Sequence, residues 1–307
     1  MSLVYLLFTI GLLGLFFGGE FLVRGASNVA RAWRISPMVI GLTIVGFGTS
    51  TPELLVSINA ALNGSSALAI GNVLGSNIAN VLLIVGLAAL ISPIVMDIRQ
   101  SWRDLAVMVG AAALLWLMLL DGRLDRAEGA LLLAGLAGFL AMSFLTARVE
   151  AEESEGPAIP PVWKSVLLTL AGLVVLMVGA RLLVDSATEI ARAFGISEAV
   201  IGLTVVAVGT SLPELATSLI AAWRKHSEIA IGNVIGSNIF NALGIPGVTA
   251  LVLPINGLDP RFLLVDMPMV LGVALTTVAL AALLAGVPRW AGGLLLAAYG
   301  GYVALML

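Results

Sequence analysis

Apolar runs broken by Gly, Pro and charged residues recur along nearly the whole chain. They mark ten segments near 2–30, 36–62, 66–91, 101–120, 125–147, 162–192, 197–223, 227–253, 262–285 and 288–306. A run of about 20 apolar residues is what a helix needs to cross a bilayer core. Only Arg148–Pro161, RVEAEESEGPAIPP, is polar for any distance, and its acids and prolines suit a solvated linker. The pattern predicts an all-α polytopic membrane protein of ten transmembrane helices: a five-helix half over 1–150, a linker over 151–161 and a second five-helix half over 162–307. The linker is too short to be a regulatory domain. The opening apolar run lacks a basic leader and runs straight into the next segment, so it reads as a retained first helix, not a cleaved signal.

The two halves share one stretch. GLTIVGFGTSTPELLVSINAALNGSSALAIGNVLGSNIAN over 41–80 and GLTVVAVGTSLPELATSLIAAWRKHSEIAIGNVIGSNIFN over 202–241 align without a gap and are identical at 24 of 40 positions. Five helices per half is an odd number, so the second half must enter the membrane inverted. Asn63, Gly64 and Ser65 of the first copy stand where Arg224, Lys225 and His226 stand in the second, and basic loops stay cytoplasmic, so the two loops belong on opposite sides. With the N-terminus outside, Arg24, Arg31, Arg34, Arg99, Arg103, Arg148, Lys164, Arg224, Lys225 and Arg289 face the cytoplasm, ten of the fifteen Lys and Arg residues. Both termini are therefore expected outside.

Ahead of each copy lies a weaker match, GGEFLVRGASNVARAW from Gly18 and GARLLVDSATEIARAF from Gly179. Glu20 and Arg24 face each other at i, i+4, and Arg181 and Asp185 repeat the pair with signs exchanged. These read as structural salt bridges near a membrane boundary, with a gating role as the lesser alternative.

Composition sharpens this picture in three ways. A chain that is 60% hydrophobic and 11% charged is too apolar for a soluble domain. A net charge of −3 offers nothing to nucleic acid, and the lack of cysteine excludes disulfides and thiolate metal sites.

The chemistry sits inside the copies. Pro52 has no N–H, so the helix around Gly46 and Gly48 opens beside Thr49, Ser50 and Glu53, and Gly209, Thr210, Ser211, Pro213 and Glu214 repeat the arrangement. Irregular backbone at membrane depth is tolerated only where it is buried in protein or lines a cavity. In GNVLGSNIAN, Gly71 and Gly75 allow close helix approach, while Ser76 and Asn80 point the same way; Gly232, Gly236, Ser237 and Asn241 match them. Asn72, Asn77, Asn233 and Asn238 are expected to hold the helix bends. Every one of these donors is a hard oxygen, which suits Ca²⁺ with its six to eight oxygen ligands and makes zinc or copper chemistry improbable. An ionised acid at the bilayer centre costs roughly 2.5–3.5 kcal/mol, and no Lys or Arg lies at matching depth, so a bound cation is the best explanation of Glu53 and Glu214.

Together, GTSxPE and GNxxGSNxxN in both halves resemble the α-repeats of the cation/Ca²⁺ exchanger superfamily, specifically its Na⁺/Ca²⁺ exchanger branch. The resemblance covers essentially the whole chain. It implies a prokaryotic antiporter of the cytoplasmic membrane, not an enzyme, that exchanges Ca²⁺ for Na⁺ by alternating access without a resident cofactor. Its outer helices are expected to slide past a core of spans 2, 3, 7 and 8. Carried over by motif, the central acids are Glu53 and Glu214 and the hydroxyl ligands Thr49, Ser50, Thr210, Ser211, Ser76 and Ser237. Carbonyl ligands fall on Gly46 and Ala207, and amide ligands on Asn80 and Asn241. Potassium-dependent members carry an aspartate where this chain has Asn241, which argues against K⁺ dependence. The Ca²⁺/H⁺ branch shows GNxxE where Gly71–Gly75 reads GNVLG. Ca²⁺/H⁺ or K⁺-dependent exchange is the alternative, and a passive cation channel is more remote.

Overall fold

The computed structural model describes residues 2–146, 160–195 and 207–306. Most of the expected linker and the first five residues of the second copy, 202–206, lie outside that set. The chain opens with the 32-residue helix α1 (Ser2–Trp33). α2 (Pro37–Thr49) starts under a Ser36 cap, which accepts from Met38 N at 3.2 Å, and α3 (Thr51–Leu62) continues it at a 41° bend. Pro52, without an N–H, sits in the first turn after that break. Then come α4 (Ser66–Ile91), the two-residue strand β1 (Ile94–Val95), α5 (Ile98–Leu119) and α6 (Arg126–Leu145). Asp97 caps α5 and a reciprocal Asp125/Glu128 capping box starts α6. The second half gives α7 (Val162–Ala193), a short helical turn Ala207–Gly209, α8 (Leu212–Trp223), α9 (Ser227–Val252), α10 (Phe262–Leu284), β2 (Gly286–Val287) and α11 (Arg289–Met306).

Seven of these helices are long and apolar enough to cross a membrane, or eight if α2 and α3 count as one bent span. The ten expected spans are thus recovered in part. The seventh, 197–223, begins outside the described residues, and the tenth is the 18-residue α11, near the lower length limit for a span. Two backbone contacts join connections of the two halves. β1 pairs antiparallel with β2, joining the connection after α4 to the one after α10, and Leu124 bridges Ile255 between the α5–α6 and α9–α10 connections.

α1 and α7 cross backbone to backbone. A Cβ on Gly172 would meet Leu22 N at 2.4 Å, one on Gly18 would meet Leu176 N at 2.5 Å, and Gly14 and Gly179 face each other directly. Small residues let membrane helices approach this closely, where dispersion and not water exclusion holds them. The pair lies beside a core in which α9 presses on α2: a Cβ on Gly236 would fall 2.1 Å from the Leu42 carbonyl oxygen, and one on Gly232 2.6 Å from that of Met38. Close approach by the GNxxG motif is therefore seen in the second copy. α5, α6, α10 and α11 pack around the outside, α6 on α9, α11 on α4 and α10 on α5.

Methyl groups forced into the α1/α7 crossing should cost about 1–3 kcal/mol each. Gly172→Ala and Gly18→Ala should lower the thermal midpoint of the purified protein, whereas Gly110→Ala, with nothing among the described residues within 4 Å of its added methyl, should not. Equal midpoints for all three would contradict the crossing.

Candidate cation site

Each glutamate occupies the third position of its helix, Glu53 in α3 after Thr51 and Pro52, and Glu214 in α8 after Leu212 and Pro213. Both are buried, at 0% and 1% exposure. The first turn of a helix presents free N–H groups and the positive end of the dipole, which favours a carboxylate there. Ser50 and Ser211 precede these helices three residues before a Glu, the spacing of a local capping box. Neither hydroxyl caps its own helix. Instead Ser50 Oγ donates to Glu214 Oε1 at 2.7 Å and Ser211 Oγ donates to Glu53 Oε1 at 3.1 Å, so each half supplies the hydroxyl for the other half's acid.

Ser76, Thr49, Ser237, Thr210 and the Gly46 carbonyl lie about this crossed pair, whereas among the described residues no hydrogen bond joins Asn80, Asn241 or Ala207 to either acid. Ser76 lies 3.4 Å from the Ser211 hydroxyl. Thr49 and Ser237 face Glu214, and both donate to the Gly46 carbonyl at 3.2 Å. Thr210 faces Glu53, and among the described residues its hydroxyl has no other partner. The Asn80 amide donates to Asn238 Oδ1 at 3.0 Å, which leaves its own oxygen free. Asn241, one helical turn beyond Ser237, is fully buried with neither amide atom bonded. Ala207 heads its short helical turn. The second oxygens of Glu53 and Glu214 are likewise buried without partners, and among the described residues no ion pair reaches either acid. No cluster of three or more His, Cys, Asp or Glu is present among those residues, so anything bound here is held by two carboxylates and neutral oxygens.

Two further residues hold the acids in place. Asn72 Nδ2 donates to the Glu53 carbonyl at 3.1 Å and to Ser57 Oγ at 3.0 Å; Asn233 Nδ2 donates to the Glu214 carbonyl at 3.3 Å and to Ser218 Oγ at 2.9 Å. The expected role of Asn72 and Asn233 is thus visible as bonds between helices. Ser57 and Ser218 were not singled out from sequence, though identity at matching positions, four residues after each Glu, was a usable signal. Asn233 Oδ1 also accepts from Thr49 at 3.1 Å, tying the two halves together. Wide π turns begin at Asn80 in α4 and at Phe240, next to Asn241, in α9; such turns concentrate at functional sites and re-aim side chains.

Buried paired acids, hard neutral oxygens, broken helices and an internal repeat define a membrane carrier of cations. Comparison with known proteins gives the lineage. The model of the sodium/calcium exchanger protein family matches residues 3–145 and 164–307, and the chain belongs to that family. It is 31% identical to the sodium/calcium exchanger MaX1 of Methanosarcina acetivorans, over 98% of both chains. It is 38% identical to the inner membrane protein YrbG of Escherichia coli, over 85% of this chain and 83% of that one. A structure of the sodium-calcium exchanger NCX_Mj, soaked with 10 mM Na⁺ and no Ca²⁺, superimposes with a TM-score of 0.88 at 35% identity and covers 99% of each chain. The protein is an integral membrane cation-exchange antiporter.

Removing one charge from the crossed pair should remove its cation. At Ca²⁺ one hundred times the Kd, a bound site stabilises a protein by about 2.7 kcal/mol. Glu53→Gln and Glu214→Gln should each lose the Ca²⁺-induced rise in thermal midpoint while remaining monodisperse. An undiminished rise in either variant would place the cation elsewhere.

Proposed function

We propose that this antiporter exchanges Ca²⁺ for Na⁺ across a prokaryotic cytoplasmic membrane. Two glutamates supply a charge of −2, which one Ca²⁺ or two Na⁺ balances. Any further Na⁺ must sit on neutral oxygens. Both cargoes compete for one charge-limited site, and that competition makes exchange obligatory, because an empty site with two unpaired carboxylates crosses the low-dielectric barrier poorly. The observation that carries this reading is the crossed hydroxyl–carboxylate pair with its two unpartnered acid oxygens.

In this reading Glu53 and Glu214 are the charged ligands. Thr49, Ser50, Thr210, Ser211, Ser76 and Ser237 supply hydroxyls, Gly46 and Ala207 carbonyls, and Asn80 and Asn241 amide oxygens. Asn241 in place of an acid keeps the site at −2 and leaves no surplus charge for K⁺ to neutralise. The ten-span arrangement of inverted five-helix halves is supported by the loop pairings of β1 with β2 and of Leu124 with Ile255, and the placing of both termini outside rests on the Lys and Arg distribution alone. Each pairing joins loops that such a count puts on one side. The α1/α7 pair slides along the core to expose the site alternately to either face.

Two measurements test this. In proteoliposomes, ⁴⁵Ca²⁺ uptake should follow an outward Na⁺ gradient with no K⁺ requirement; equal uptake on a proton gradient without Na⁺ would make the protein a Ca²⁺/H⁺ exchanger. The native lack of cysteine allows a second test, since Ser65→Cys should react with an impermeant thiol reagent outside intact cells and Lys225→Cys should not. Labelling of both from one side would contradict the inverted halves.

A further inference from the structure

Glu20 is expected from sequence to pair with Arg24 one turn along α1, and it does. It also does something the spacing does not reveal. Glu20 is only 6% exposed and takes a two-pronged contact from Arg224 at the end of α8, Nε to Oε2 at 2.9 Å and Nη2 to Oε1 at 2.5 Å. The guanidinium of Arg224 also lies over the Trp223 ring, which packs against Phe16 of α1, so the contact is both ionic and aromatic. It joins the α1/α7 pair to the core.

The inverted repeat supplies a control within the same molecule. The residues matching Glu20 and Arg224 are Arg181 in α7 and Asn63 at the end of α3. Arg181 pairs with Asp185 of its own helix at 3.8 Å, and both are largely exposed. α1 lies along α8, whereas α7 and α3 are all but out of contact. Among the described residues the helix pair therefore docks on the end of α8, the side that carries the Arg224 clamp, and not on the end of α3.

We propose that Glu20, Arg224 and Arg24 form an ionic latch that holds the α1/α7 pair against α8, and that the absence of its counterpart biases the resting carrier toward this one of its two facing states. This rests on the alternating-access reading above. Exchanging the roles of the two halves brings α7 onto α3, where Arg181 would meet Asn63 and no ion pair can form. Only the state closed at the Arg224 face, cytoplasmic in the proposed orientation, has the latch. When α1 leaves α8, Glu20 keeps Arg24 but loses the two-pronged charge-assisted contact of Arg224, so the docked state is favoured by that contact. The latch therefore lowers the fraction of carriers open to the cytoplasm and raises the apparent Kd for Ca²⁺ there by that factor.

The experiment uses two variants and two readouts. Glu20→Gln removes the latch; Arg181→Glu with Asp185→Arg and Asn63→Arg builds the missing one at exposed positions, where folding is not at stake. Docking is read as cross-linking between cysteines placed at Phe16 and Trp223, whose rings lie 6.1 Å apart, with a short bifunctional thiol reagent. Bias is read as the ratio of cytoplasmic to outer Ca²⁺ KM in inverted and right-side-out vesicles. Both variants should cut the cross-linking yield, and both should lower the KM ratio, by about tenfold if the latch sets a tenfold population difference. Wild-type cross-linking in both variants, or a KM ratio within twofold of wild type while flux persists, would overturn the latch. Wild-type vesicles without Na⁺-driven Ca²⁺ flux would defeat the antiport reading instead and leave the latch to be judged on cross-linking alone. Should Glu20→Gln fail to fold, the built latch decides.

Discussion

Two carboxylates, each bonded to a serine from the opposite half and neither matched by a cation among the described residues, are the constraint on which this structure depends. Burying an acid without a partner is costly, and burying two near each other more so. The site compensates with helix N-termini, hydroxyl donors and amide braces. It stops short of neutralising the charge, because Glu53 Oε2 and Glu214 Oε2 have no partner. A site finished by an arginine would be more stable and unable to select cations. In the proposed reading the missing positive charge is the cargo.

The surrounding architecture follows from bringing those acids together. Glu53 reaches Ser211 only if α2 and α9 approach backbone to backbone, which Gly232 and Gly236 permit, and only if the helices break at Ser50 and Ser211 so that each acid sits at a helix start. Asn72 and Asn233 then fix the acid-bearing turns to the neighbouring helices. α1 and α7 are built differently. Their glycine crossing makes them one body, and among the contacts of α1 with α8 the Glu20–Arg224 clamp is the polar one. A rigid pair leaning on a rigid core is the arrangement in which one body can slide past another without either unfolding.

Much of this was legible in the sequence, for identifiable reasons. Self-similarity over 40 residues survives any uncertainty in helix boundaries, so the repeat and the paired acids could be read at once. Pro52 announced the break in the second span, and α1 and α7 end within a few residues of the limits set by apolar periodicity. What was hidden is contact between residues distant in the chain. The Ser–x–x–Glu spacing reads locally as a cap, and only the fold shows each hydroxyl turned to the other half. Glu20 is explained locally by Arg24, and nothing in the spacing points to Arg224, 204 residues away. The π turns at Asn80 and Phe240 leave no pattern in hydropathy, because α4 and α9 are apolar on most of their faces and a one-residue shift in register does not show there.

The central claim is that one site of fixed charge serves both ions. Equilibrium ⁴⁵Ca²⁺ binding to the purified protein across a Na⁺ series, at constant pH and ionic strength, tests it most directly. A shared site predicts that Na⁺ raises the apparent Ca²⁺ Kd with at least a second-power dependence and leaves the number of Ca²⁺ sites unchanged. A Ca²⁺ Kd indifferent to Na⁺, with both ions bound at once, would contradict it.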